Sequence, residues 1–162
     1  MDCPAGYSAT LENAMITGAE TISTDIIGNR FTLKNFAASL SLFNPSQNFV
    51  GNTFILDGIA STRDVFNFQY NVGVFANNEI SINNSSFRRV LYKAAQDVMI
   101  ANNIINISSQ DTGINAKIVD KASAAAWSIA DVICNNIIRG YKAYTLPDGV
   151  TAQNNVVVTL TP

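Results

Sequence analysis

Two carboxylates and one row of amides and cations are the residues of this 162-residue chain best equipped for chemistry. Asp64 and Asp111 each stand just ahead of a segment in which polar and apolar residues alternate, and Arg88 and Arg89 lie between them. A carboxyl pair on either side of a glycosidic bond, one as acid and one as base, is the machinery of inverting glycoside hydrolysis. A neighbouring arginine would bias their ionisation. The catalytic set read this way is Asp64, Asp111 and Arg89. Weighing against it, Asp is a common turn residue, and the chain uses it so in Leu56-Asp57-Gly58 and Pro147-Asp148-Gly149. A binding set is larger: Asn67, Gln69, Arg89, Lys93, Asn115, Lys117 and Tyr144. These donors suit the hydroxyls and carboxylates of an extended polysaccharide, and the cations favour an acidic one. Trp127, the one tryptophan, either offers a sugar ring a stacking surface or pins its own segment to the body of the fold. With no histidine and no paired cysteine spacing, a zinc site and a histidine triad are excluded. No metal or cofactor is expected.

What must position these residues is a repeat. Ile27-Gly28-Asn29-Arg30-Phe31, Val50-Gly51-Asn52-Thr53-Phe54, Phe75-Ala76-Asn77-Asn78-Glu79-Ile80, Ile100-Ala101-Asn102-Asn103-Ile104, Ile133-Cys134-Asn135-Asn136-Ile137 and Ala152-Gln153-Asn154-Asn155-Val156 share one pattern: apolar, small, Asn, any, apolar. Counted from the first Asn of each (29, 52, 77, 102, 135, 154), the steps are 23, 25, 25, 33 and 19 residues. Such a period, set by short strands, is that of a solenoid with one coil per repeat. Each Asn corner joins two strands, as Asp25–Ile27 to Arg30–Leu33 or Val98–Ile100 to Ile104–Ile107, because Asn tolerates the left-handed bend. A third strand follows, at 39–43, 65–70, 89–93, 114–119 and 141–146. Its alternation, as in Phe66-Asn67-Phe68-Gln69-Tyr70, implies one buried face. Stacked coils would bring equivalent Asn side chains into a ladder, with Asn102 in it, and would separate Asp64 from Asp111 by roughly 9.6 Å. Residues 1–22 read as an irregular cap or partial coil, residues 23–162 as the repeat body, and 120–128 as an Ala-rich insertion that lengthens one step.

The Asn corners, the period and the three strands per coil resemble the right-handed parallel β-helix proteins of the pectate-lyase-like superfamily. That superfamily includes polysaccharide lyases, glycoside hydrolases, phage tailspikes and surface adhesins. The resemblance implies an all-β, single-stranded parallel β-helix of about six coils. It also implies a ligand groove on the outer face of one sheet, which places the binding set on the third-strand row. The expected function is a polysaccharide-binding module within a larger carbohydrate-active tailspike or surface protein. The competing readings are an active depolymerase, either hydrolase or lyase, and a purely structural spacer. A tailspike-like context implies a homotrimer and an extracellular or virion-surface location.

Composition agrees with a narrow, strand-built body. The chain is 48% hydrophobic, only 14% charged and carries 20 Asn, so its polar surface rests on amides and hydroxyls. A net charge of −2 leaves no basic footprint for nucleic acid. No apolar run approaches the length of a membrane-spanning helix, and Met1-Asp2-Cys3-Pro4-Ala5-Gly6 has none of the features of a signal peptide, so the chain reads as a piece of a longer protein. Cys134, in the small-residue slot beside Asn135, is expected to pack rather than react.

Overall fold

The computed structural model describes residues 10–11, 16–17, 25–38, 43–44, 48–68, 73–93, 97–108, 118–121 and 126–161. Among them every regular element is a strand and none is a helix. In chain order the strands are β1 (Thr10–Leu11), β2 (Ile16–Thr17) and β3 (Asp25–Ile27); β4 (Arg30–Ala38), β5 (Phe43–Asn44) and β6 (Asn48–Val50); β7 (Thr53–Ser61), β8 (Asp64–Phe68) and β9 (Val74–Ala76); β10 (Glu79–Asn83), β11 (Arg89–Lys93) and β12 (Met99–Ala101); β13 (Ile104–Ile107), β14 (Val119–Lys121) and β15 (Val132–Cys134); β16 (Ile137–Gly140), β17 (Thr151–Gln153) and β18 (Val156–Thr159). All pairings are parallel, in three sheets that the chain visits in rotation up to β16, after which it passes to β17 with no named strand of the second sheet between. Sheet A runs β1-β4-β7-β10-β13-β16-β18, sheet B runs β2-β5-β8-β11-β14, and sheet C runs β3-β6-β9-β12-β15-β17.

Each pass lays its apolar residues on those of the pass before. In sheet A, Phe31, Phe54, Ile80, Ile105, Ile138 and Val157 share one register row, and Leu33, Leu56, Ile82, Ile107 and Gly140 another. Sheet B adds Phe43, Phe66, Leu91 and Val119, and sheet C adds Ile26, Phe49, Phe75, Ile100 and Ile133. The two-residue period of a strand sends these rows to one face, where they form a single core. Its early passes are filled by phenylalanines in contact, Phe31 stacked on Phe54 at 5.0 Å and Phe43 on Phe66 at 5.2 Å. Its later passes are filled by isoleucine and valine.

The corner between sheets C and A has two consecutive slots, and they do different work. The first holds Gly28, Gly51, Asn77, Asn102, Asn135 and Asn154, all at positive φ between 53° and 68°. Only Gly and Asn enter that region at low cost. The second holds the ladder. Asn52, Asn78 and Asn103 each donate both the backbone N–H and Nδ2 to the Oδ1 of the next pass, at 2.9 to 3.1 Å. The steps between rungs are 23, 26, 25, 33 and 19 residues. At the Asn-Asn corners the ladder therefore sits one residue beyond the expected position, while Asn29 and Asn52 hold it where expected: Asn103, fully buried, is the rung, and Asn102 is the exposed bend.

A candidate cleft at the end of sheet B

Sheet B is where the sequence placed its chemistry, and burial changes the meaning of most of those residues. Arg89 begins β11 opposite Asp64 in β8. Its Nε lies 2.5 Å from Asp64 Oδ1 and its Nη2 3.1 Å from Oδ2, a bidentate pair with both partners buried. Asp120 approaches Nη1 at 3.5 Å, and the guanidinium lies 3.6 Å from the centre of the Tyr92 ring. Burial opposes the charge on Arg89, but the hydrogen bonds and charge of Asp64, with Tyr92 and Asp120, outweigh it and raise its pKa. Asp64 cannot act as an open acid or base here, because both oxygens are occupied and only 3% of the residue is exposed. The catalytic assignment to Asp64 and Arg89 is corrected accordingly, and Asp111 lies outside the described residues.

Lys93, at the other end of β11, shares its side of the strand with Leu91 and follows the core row of Phe68. It is 1% exposed, not outward as expected, because a carboxylate from a distant part of the chain meets it. Asp131, fully buried, accepts from Nζ at 2.6 and 2.7 Å, from Val98 N at 3.0 Å and from Ser128 N at 2.9 Å. Nζ also donates to the Ala126 carbonyl at 3.2 Å and lies 5.2 Å from the Trp127 ring centre. These contacts clamp residues 126–131 to the body, with the Trp127 ring beside the Lys93 ammonium. Asp120 and Lys121, the first residues of the stretch read as an insertion, belong to β14, and residues 122–125 lie outside the described residues.

Tyr144 is buried rather than outward. The reason is Gly140: a Cβ there would come within 2.6 Å of the Tyr144 ring and 3.2 Å of Ile107, so the ring fills space that a larger residue in the Leu56-Ile82-Ile107 row would take. Asn67 is buried too, while Gln69, Asn115 and Lys117 lie outside the described residues. The expected open row across three passes is therefore absent among the described residues.

What is open is the end of that sheet. The pass after β14 is shortened to 19 residues between rungs and places residues 141–150 beyond β14 without a named strand. Between them lies a cleft of about 590 Å³, lined by Val119, Asp120, Lys121, Trp127, Thr145, Leu146, Pro147 and Asp148. Comparison with models of known families, with curated proteins and with solved structures finds no match in any of the three. The cleft must be interpreted from its own residues. Lys121, Thr145 and Asp148 make no side-chain hydrogen bond or ion pair with the described residues. Asp120 commits one oxygen, at long range, to Arg89. Lys121, Asp120, Asp148, Thr145 and Trp127 thus line one space together with Leu146 and Pro147. No cluster among the described residues could hold a metal ion. The sequence signal for this cleft was the short final step together with the lone tryptophan.

Proposed function

We propose that the chain is a right-handed parallel β-helix module that binds a saccharide in the cleft around Trp127. Three observations support the winding: the rotation of the strands through sheets A, B and C, the parallel registers and the amide ladder along one corner. Right-handed crossover is the rule for parallel strands of one sheet joined through other elements. The site rests on one observation. The charged groups buried beneath sheet B are committed to each other, whereas the polar groups that line the cleft remain open to a ligand beside an aromatic ring. A sugar matches that mixture, with a C–H face for the indole and hydroxyls for Asp148, Thr145 and Lys121. A cleft of this size takes one to a few sugar units at the end of sheet B, in place of a chain lying across three passes. The reading retains the tailspike-like context, with the module outside the cell or on a virion surface and a polysaccharide as the ligand.

Trp127 is the only tryptophan, so its fluorescence reports on this cleft alone. Titration with neutral, acidic and amino oligosaccharides should shift its emission saturably for at least one class, and Asp148→Ala with Thr145→Ala should weaken binding by about tenfold, the equivalent of one or two lost hydrogen bonds. If no oligosaccharide shifts the emission, or if the double variant binds unchanged, the spacer reading replaces this one.

A further inference from the structure

We infer that the cleft selects a sugar bearing a free amine, an inference that rests on the saccharide reading above. The acidic-glycan expectation depended on Arg89 and Lys93 presenting their charges outward. Both are buried against carboxylates, Arg89 against Asp64 and Asp120, and Lys93 against Asp131 with Asp97 at 3.8 Å. Neither cation is available to a bound anion. Among the described lining residues, Asp120 and Asp148 are accompanied by one cation, Lys121. Asp97, 61% exposed at its side chain and hydrogen-bonded to Ser128 Oγ at 3.1 Å, adds a further negative charge on the clamp that holds Trp127.

Lys93 lies 5.2 Å from the ring centre but is matched by Asp131, as Arg89 is by Asp64. Among the described residues Asp97, Asp120 and Asp148 therefore outnumber Lys121 around the ring, a balance that would favour an ammonium group over a uronic acid. The chemistry of the lining points the same way. The indole offers a sugar its apolar face, and the Asp148 carboxylate, unpaired among the described residues, offers the amine of that sugar a charge-assisted hydrogen bond. Acetylation of the amine would delete the charge and leave the ring contact unchanged. The two contributions can therefore be separated by chemistry on the ligand alone.

The experiment titrates the intact chain, by tryptophan emission and calorimetry, with three tetrasaccharides: a glucosamine oligomer with free amines, its fully N-acetylated counterpart and a galacturonic acid oligomer. The amine form should bind about tenfold more tightly than the acetylated form at low salt. The gap should shrink in 1 M salt, where exposed charges are screened within about 3 Å. Asp148→Asn, on an exposed loop, should remove most of the gap without loss of fold. If the acetylated or the acidic oligomer binds as tightly as the amine form, or if Asp148→Asn preserves the gap, the amine selectivity is wrong and the saccharide reading stands. If none of the three binds while a neutral hexose oligomer does, the same conclusion holds. If no oligosaccharide binds, both readings fall.

Discussion

At the residue scale, the two Asn slots of each corner make opposite demands, and substitution separates them. Asn103→Leu deletes the acceptor for two donors of Asn78 and the donor to Phe75 O, all buried. Leaving such groups unpaired costs roughly 1 to 3 kcal/mol each, so the variant should lose on the order of 3 kcal/mol or more in denaturant titration. Asn102→Gly should change stability by only a few tenths of a kcal/mol, since Gly28 and Gly51 already occupy the same slot. Asn102→Val should cost about 1 to 2 kcal/mol through the left-handed backbone alone. Equal losses at 102 and 103 would contradict the assignment. The Lys93–Asp131 pair admits a different comparison. Lys93→Met strands a buried carboxylate and should cost roughly 3 to 5 kcal/mol, whereas Lys93→Met with Asp131→Asn should recover much of the loss. A double variant no better than the single one would show that Asp131 acts mainly through Val98 and Ser128 rather than Lys93. Arg89 brings no pH dependence near neutrality: its folded pKa is raised, so its contribution is complete below the ordinary arginine range and is lost only above it.

At the element scale, what the sequence revealed and what it hid have physical causes. The corners were legible because a bend between strands admits few residue types, and those types recur at strand-set intervals. Strand β11 was read at its true limits, Arg89–Lys93, because an apolar run of strand-forming residues follows the turn residues Asn83-Asn84-Ser85 at the expected place in the repeat. The ladder was misplaced by one residue because Asn-Asn pairs are ambiguous on their own. Gly28 and Gly51 carried the missing signal: glycine in the first slot marks it as the left-handed one and leaves the second for the rung. The polarity of sheet B misled for a deeper reason. Alternation assigns a cation to solvent unless its partner is known, and the partners of Arg89 and Lys93 stand 25 and 38 residues away. If the Lys93 clamp holds the inserted stretch, Asp131→Ala should expose 126–131 to limited proteolysis before global unfolding. Cleavage there at the wild-type rate would show that the clamp is not what holds it.

At the scale of the whole molecule, the end of sheet A carries an exposed apolar strand. β18 is the last strand of that sheet, and Val156, Val157 and Val158 are 51%, 38% and 37% exposed. Val157 lies in the same register row as Ile138 and Ile105, both in the core, yet it stays accessible because no strand is paired beyond β18 among the described residues. An end strand rich in valine presents both apolar side chains and a backbone edge, the combination that promotes strand-to-strand association. The 162-residue chain should therefore self-associate as its concentration rises, and Val157→Lys should suppress this while leaving the Tm within a few degrees, since the lysine stem can cover Ile138 while its ammonium reaches solvent. Sedimentation velocity over a hundredfold range of concentration reads the outcome. If Val157→Lys associates as the parent does, the contact lies elsewhere. The half-exposed Met99 and Ile104, on the outer faces of sheets C and A, are then the next surface to charge.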